Sequence, residues 1–211
     1  VEKDFKTVEQ QMIMVSRWIL MIQNILVILC IFYGETIFIT ILPDGTDPNM
    51  AIIGGIVLFF LMVGETINGG FGMADLPVIY RTPLFNPIIS LTMIPIYIVL
   101  AYLFTQYTSY GSVGVAMALC STYFVMNFLR VIVIKKMFNI NMIKFRVFKV
   151  IFAACISAAV FYALSETLPI DLIHGYGIAI GIPLLFFIYG ISILIIAMEK
   201  SDIQKLKAKF L

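Results

Sequence analysis

The sequence predicts an all-α integral membrane protein, a bundle of about six transmembrane helices. Three observations predict it. Hydrophobic residues make up 62% of the chain and charged residues 12%, against about 25% charged in an average soluble domain. The apolar runs are greasy nearly all round, as befits helices that lie in lipid or a deep core. Between the runs, basic connectors alternate with acidic or neutral ones, which sets orientation because Lys and Arg are retained on the cytoplasmic side. Strand-period alternation is absent, which excludes a transmembrane β-barrel.

In chain order, residues 1–14 place Val1, Phe5, Val8 and Met12 at helical spacing among charges, predicting a cytoplasmic interfacial helix. Residues 15–197 form the six-helix transmembrane lobe. Its first span runs over residues 16–42 and ends at Pro43-Asp44-Gly45, a turn signal. The second covers residues 50–74. The third covers 83–105 and holds Pro87 and Pro95, and the fourth covers 111–134. The fifth and sixth cover 145–164 and 174–197, with Pro183 in the sixth. The three prolines remove backbone donors and favour kinks. Residues 198–211 are a basic cytoplasmic tail, with Ile203, Leu206 and Phe210 on one face. Gly177 and Gly181, and Ala154 and Ala158, are small-residue pairs suited to close helix contact.

Asp44 and Asp47 mark the first connector, Arg81 the second, and no charge the third. Lys135, Lys136, Lys144, Arg146 and Lys149 mark the fourth, Glu166 and Asp171 the fifth, and lysines the tail. This places both termini in the cytoplasm; the membrane expected is the plasma membrane. A mixed-charge start at Val1 predicts the C-terminal part of a longer protein. The net charge of +2 and the lack of any basic aromatic stripe exclude a nucleic-acid partner. Cys30, Cys120 and Cys155 fall within spans and read as small buried hydrophobes, not as disulfides or metal ligands. No cofactor is expected.

Polar groups inside a span cost about 2.5–3.5 kcal/mol each on insertion scales and turn towards protein or water. Arg17, Asn24 and Glu35 are spaced seven and eleven apart, steps that return to within roughly 20° on a helix. Ser112, Tyr123, Asn127 and Arg130 fall within roughly 60° on the fourth span. Glu65, Asn68, Gly69 and Gly72 share a face of the second. Three polar stripes predict a shared hydrated cavity, with Glu65 as a buried ion-coupling carboxylate that pairs with a cation or takes up a proton. Arg17 and Arg130 either line that cavity or reach out to lipid phosphates. Glu35 lies at the outer edge of its span, and His174 opens the sixth.

The stretch 69–143 carries a resemblance. Asn68-Gly69-Gly70-Phe71-Gly72 ends one span, a short loop holds Arg81, and the next span contains Asn86 and Pro95. Tyr110-Gly111-Ser112-Val113-Gly114-Val115-Ala116-Met117-Ala118 follows, then Lys135-Lys136 before Asn139-Ile140. This order resembles the polysaccharide flippases of the multidrug/oligosaccharidyl-lipid/polysaccharide exporter superfamily, extending diffusely over most of the chain. Members commonly show Tyr-Gly-x-x-Gly-Ala-Ala-x-Ala at that place. Here Val115 stands for the first Ala of the pair, and the family's Ile-Pro lies further upstream. Phe32-Tyr33-Gly34-Glu35 loosely resembles the family's Phe-Gly-x-x-Tyr region.

The resemblance implies one lobe of a two-lobed exporter fold, here the C-terminal lobe, with the N-terminal lobe as its missing partner. It implies inversion of a polyprenyl-diphosphate-linked oligosaccharide from inner to outer leaflet, with Arg17 and Arg130 drawing the diphosphate near the cytoplasmic entry. The mid-cavity cations of the family's N-terminal lobe have no counterpart here, which counts against transport by this lobe alone. The other readings are a multidrug/cation antiporter of the same superfamily, a membrane-embedded polyprenyl-phosphate sugar transferase and a scaffolding subunit. For the transferase, only Asp75 and Arg81 share an inner loop, less than metal-phosphate chemistry needs.

Overall fold

A computed structural model describes residues 5–43, 47–108, 111–199 and 202. The chain is an all-α integral membrane protein with, among the described residues, six helices long and apolar enough to cross a membrane. Val1, Asp44, Tyr110 and most of the basic tail, including Ile203, Leu206 and Phe210, lie outside the described residues. Two compact units divide the chain, Val1–Lys144 and Phe145–Leu211.

In the first unit, α1 spans Phe5–Ile41, α2 Pro48–Gly72, α3 Asp75–Arg81, α4 Phe85–Tyr107 and α5 Gly111–Phe138. The expected break between an interfacial helix and a first span does not occur. No Gly or Pro interrupts residues 5–33, so one helix of 37 residues runs through both. At 1.5 Å per residue it is roughly 55 Å long, against a hydrocarbon layer of about 30 Å. Several of its turns therefore stand outside the hydrocarbon. Asp47 starts α2 by accepting a hydrogen bond from the Asn49 N–H at 3.0 Å, with Pro48 at the first helical position. Pro87 sits in the first turn of α4, where its missing N–H breaks no helical bond, so the kink expected there does not arise. Pro95 and Pro183 do lie inside their helices.

Glycines let these helices meet backbone to backbone. A methyl group on Gly55 of α2 would stand 2.7 Å from the Glu35 N of α1, and one on Gly114 of α5 would stand 2.7 Å from the Thr105 N of α4. Such approach replaces the hydrophobic drive that lipid does not provide. On the side where α3 lies, Met12, Ala74, Val131, Ile134, Ile140 and Met142 form a core. Asn139 ends α5 with φ +56°, a left-handed conformation that Asn tolerates, and its N–H bonds the Lys135 carbonyl at 3.0 Å. The Glu9 carboxylate accepts the Asn141 N–H at 2.9 Å and pairs with Lys144, tying the segment after α5 to α1.

In the second unit, α6 spans Phe145–Thr167. A short 3₁₀ turn, Gly175–Gly177, leads into α7, Ile178–Ser192, which ends in a π-helical turn over Ile193–Ala197. Asp171 Oδ1 accepts the N–H groups of Ile173 and His174, both at 3.0 Å, and Oδ2 meets His174 Nδ1 at 3.1 Å. A methyl on Gly177 would overlap the Asp171 carbonyl oxygen. Gly177 thus serves the turn, not the helix–helix contact expected of it. Arg146 Nε pairs with Glu199 at 3.1 Å.

Candidate functional site

The seam between α2 and α5 brings together Glu65 and Asn68 of α2 with Tyr123 and Asn127 of α5. Asn127 is 1% exposed. Its Nδ2 donates to the Tyr123 carbonyl at 2.9 Å and reaches Asn68 Oδ1 at 3.4 Å. One helical turn along, the Tyr123 side chain lies beside the Glu65 carboxylate. Gly64 makes room for this pairing, since a methyl there would lie 3.2 Å from both the Tyr123 ring and Cys120 Cα. Glu65, Asn68, Tyr123 and Asn127 therefore lie together at this seam. Glu65 departs from expectation in one respect. It is exposed on the surface of the unit, not buried, because the small residues beside it draw α5 against the adjoining face of α2.

At the α3 end of the seam, Arg130 Nε lies 2.8 Å from Asp75 Oδ1, with the side chains 8% and 20% exposed. The N–H is not aimed at that oxygen, so the contact is an ion pair more than a hydrogen bond. Asn86, at the start of α4, lies beside the same carboxylate. Burial pushes the Asp75 carboxyl above its ordinary value, and the Arg130 charge and the nearby Asn86 amide pull it part of the way back. Arg130 is thus a buried cation paired with Asp75, not one reaching out to lipid. Asp75 and Asn86 are site residues that the stripe analysis missed. The available signal was an acidic residue on the side of the chain otherwise marked by basic loops.

The α1 stripe divides. Arg17 and Asn24 are buried, at 3% and 8% exposure. Glu35 is exposed and lines an open groove of about 500 Å³ with Cys30, Ile31, Ile52, Gly55, Ile56 and Phe59. The structure does not bring it to the α2–α5 seam. Ser112, at the far end of α5, is exposed and also stands apart. Gln23 was not foreseen; its amide packs against Gly69 of α2. Several buried polar atoms have no hydrogen-bond partner among the described residues, including Ser16 Oγ, Gln23 Oε1, Asn24 Nδ2, Asn86 Oδ1 and Asn127 Oδ1. Each such atom costs about 1–3 kcal/mol when left dry.

Fold and seam together define a multi-pass helical membrane protein with a polar strip along α2 and α5. No protein-family model, curated protein or solved structure matches this chain.

Proposed function

We propose that the chain is part of a plasma-membrane transporter for surface polysaccharide synthesis. It flips a polyprenyl-diphosphate-linked oligosaccharide from inner to outer leaflet by alternating access. The chain acts as the C-terminal lobe, with both termini cytoplasmic and an N-terminal lobe completing the pathway. The motif order around residues 69–143 suggested this reading. The observation that carries it is the polar strip along α2 and α5: Glu65 with Tyr123, Asn68 with Asn127, then Arg130 with Asp75 and Asn86. Static apolar packing gives no reason to keep so many costly groups within spans. The unpartnered amide and hydroxyl atoms along α1, α4 and α5 favour a wet interior over a dry one. An exposed carboxylate within a span, such as Glu65, suits a water-filled cleft facing a second lobe far better than acyl chains.

In this mechanism Glu65 takes up and releases the coupling proton or cation. Arg17 and Arg130 meet the diphosphate, and Arg130 exchanges Asp75 for it as the cleft opens. The test is flipping of a fluorescent polyprenyl-diphosphate glycan in proteoliposomes holding the full-length protein. Glu65→Gln is expected to abolish the dependence on pH or sodium, and Arg17→Gln with Arg130→Gln to slow flipping. Unchanged gradient dependence in the first variant and unchanged rates in the second would remove both roles. The acidic Glu65 on an open face also fits an organic-cation antiporter. Efflux of such a cation from the same vesicles, without glycolipid flipping, would favour that reading.

A further inference from the structure

A second site lies outside the polar strip, on the face of the first unit formed by the start of α1, by α3 and by the end of α5. Phe5, Val8, Met12 and Val15 of α1 form one wall of an open groove of about 540 Å³. Met73, Leu76 and Pro77 form the other wall, and Phe138 closes one side. The surface is apolar except at the rim, where Gln11, Tyr80 and Arg81 stand. Arg81 lies over the Phe138 ring, 5.6 Å from its centroid, and its Nη1 donates to the Met137 carbonyl at 3.4 Å. These contacts use a fraction of its five N–H donors. Among the described residues no carboxylate neutralises it, nor Lys135 and Lys136 in the last turn of α5.

The level of the groove follows from lengths. Because α1 is far longer than the hydrocarbon is thick, its first turns stand among headgroups at that end. The short α3 joins two spans and leaves Leu76, Ile79 and Tyr80 exposed, as a helix lying in the interface does. An apolar trough at headgroup depth, with a guanidinium at its lip that no described carboxylate neutralises, matches a molecule with an acyl chain and an anionic phosphate.

We propose that the groove is a binding site for an anionic phospholipid of the surrounding bilayer. One acyl chain lies along Val8, Met12 and Leu76, and the phosphate sits on Arg81. The site stands apart from the transport reading, and a failed flipping assay leaves it intact.

The test uses the full chain in phosphatidylcholine nanodiscs containing phosphatidylglycerol with a photoactivatable acyl chain, and mass spectrometry to locate the label. Labelling is expected to concentrate on residues 5–15, 73–81 and 138. Arg81→Gln should lower it about fivefold, the effect of one interfacial cation on an anionic lipid. It should leave labelling by the phosphatidylcholine analogue unchanged. Val8→Trp, which fills the trough, should lower labelling by both lipids. Arg81→Lys keeps the charge and should keep the preference for phosphatidylglycerol. Labelling spread evenly along the spans would overturn the proposal. So would an equal loss from Lys135→Gln with Lys136→Gln, which would indicate diffuse surface charge. Loss of preference in Arg81→Lys equal to that in Arg81→Gln would trace the effect to packing on Phe138 and overturn it too.

Discussion

Asp75→Asn and Arg130→Gln, singly and together, test whether the buried ion pair organises the α3 end of the seam. At 2.8 Å and an effective dielectric of about 20, the bare attraction is roughly 6 kcal/mol. Desolvation opposes it, as the upward push of burial on the Asp75 carboxyl records. The intact pair therefore adds little net stability, yet either residue left alone is costly. Asp75→Asn leaves Arg130 buried with a charge it cannot shed, and should destabilise the protein by about 3–5 kcal/mol. Arg130→Gln leaves a carboxyl that can take a proton instead. From an ordinary value of 3.8, that escape caps the electrostatic loss at about 4 kcal/mol at pH 7. Burial has already raised the group, so the true loss is smaller.

In Arg130→Gln the carboxyl's folded-state value lies above its unfolded one. Its contribution to stability is thus fully present below the unfolded value and is lost as pH rises through the folded one. The deficit of this variant should therefore shrink as pH falls towards the ordinary carboxylate range. The double variant should recover about 2–3 kcal/mol relative to the sum of the singles. Equilibrium unfolding in detergent micelles, followed by circular dichroism at several pH values, measures all three quantities. Additive single losses, or a deficit in Arg130→Gln that does not change with pH, would refute this account.

Two other perturbations address the packing and the turn. Gly55→Ala places a methyl 2.7 Å from the Glu35 backbone N and should cost about 1–3 kcal/mol, read as a lower thermal midpoint. Its conservative control is Gly72→Ala, where nothing lies within 4 Å; an equal loss there would sink the close-approach argument. The N–H groups of Ile173 and His174 hold the Asp171 carboxyl below its ordinary value. Order in this turn is therefore present above the usual carboxylate range and lost as pH falls through the lowered value. Amide exchange at Ile173 and His174 should quicken at acid pH and in Asp171→Ala, and unchanged exchange would show that the backbone alone shapes the turn.

The number and order of spans were legible in the residues because run length against bilayer thickness is a local property that neighbours do not alter. Stripes at helical spacing were legible for the same reason, and they put Asn68 and Asn127 on facing helices. Three matters were settled only by assembly. Whether Glu65 faces inward or outward depends on how far α2 is rotated about its own axis, which its glycine contacts with α1 and α5 determine. That Arg130 belongs to Asp75 and Asn86 depends on where α3 and α4 come to rest beside α5, and no spacing rule spans those separate elements. The join between the expected interfacial helix and the first span depended on continuity of backbone hydrogen bonding, which a change in polarity along the chain does not interrupt. Periodicity assigns each helix its polar side. Packing of one helix against the next decides what that side meets.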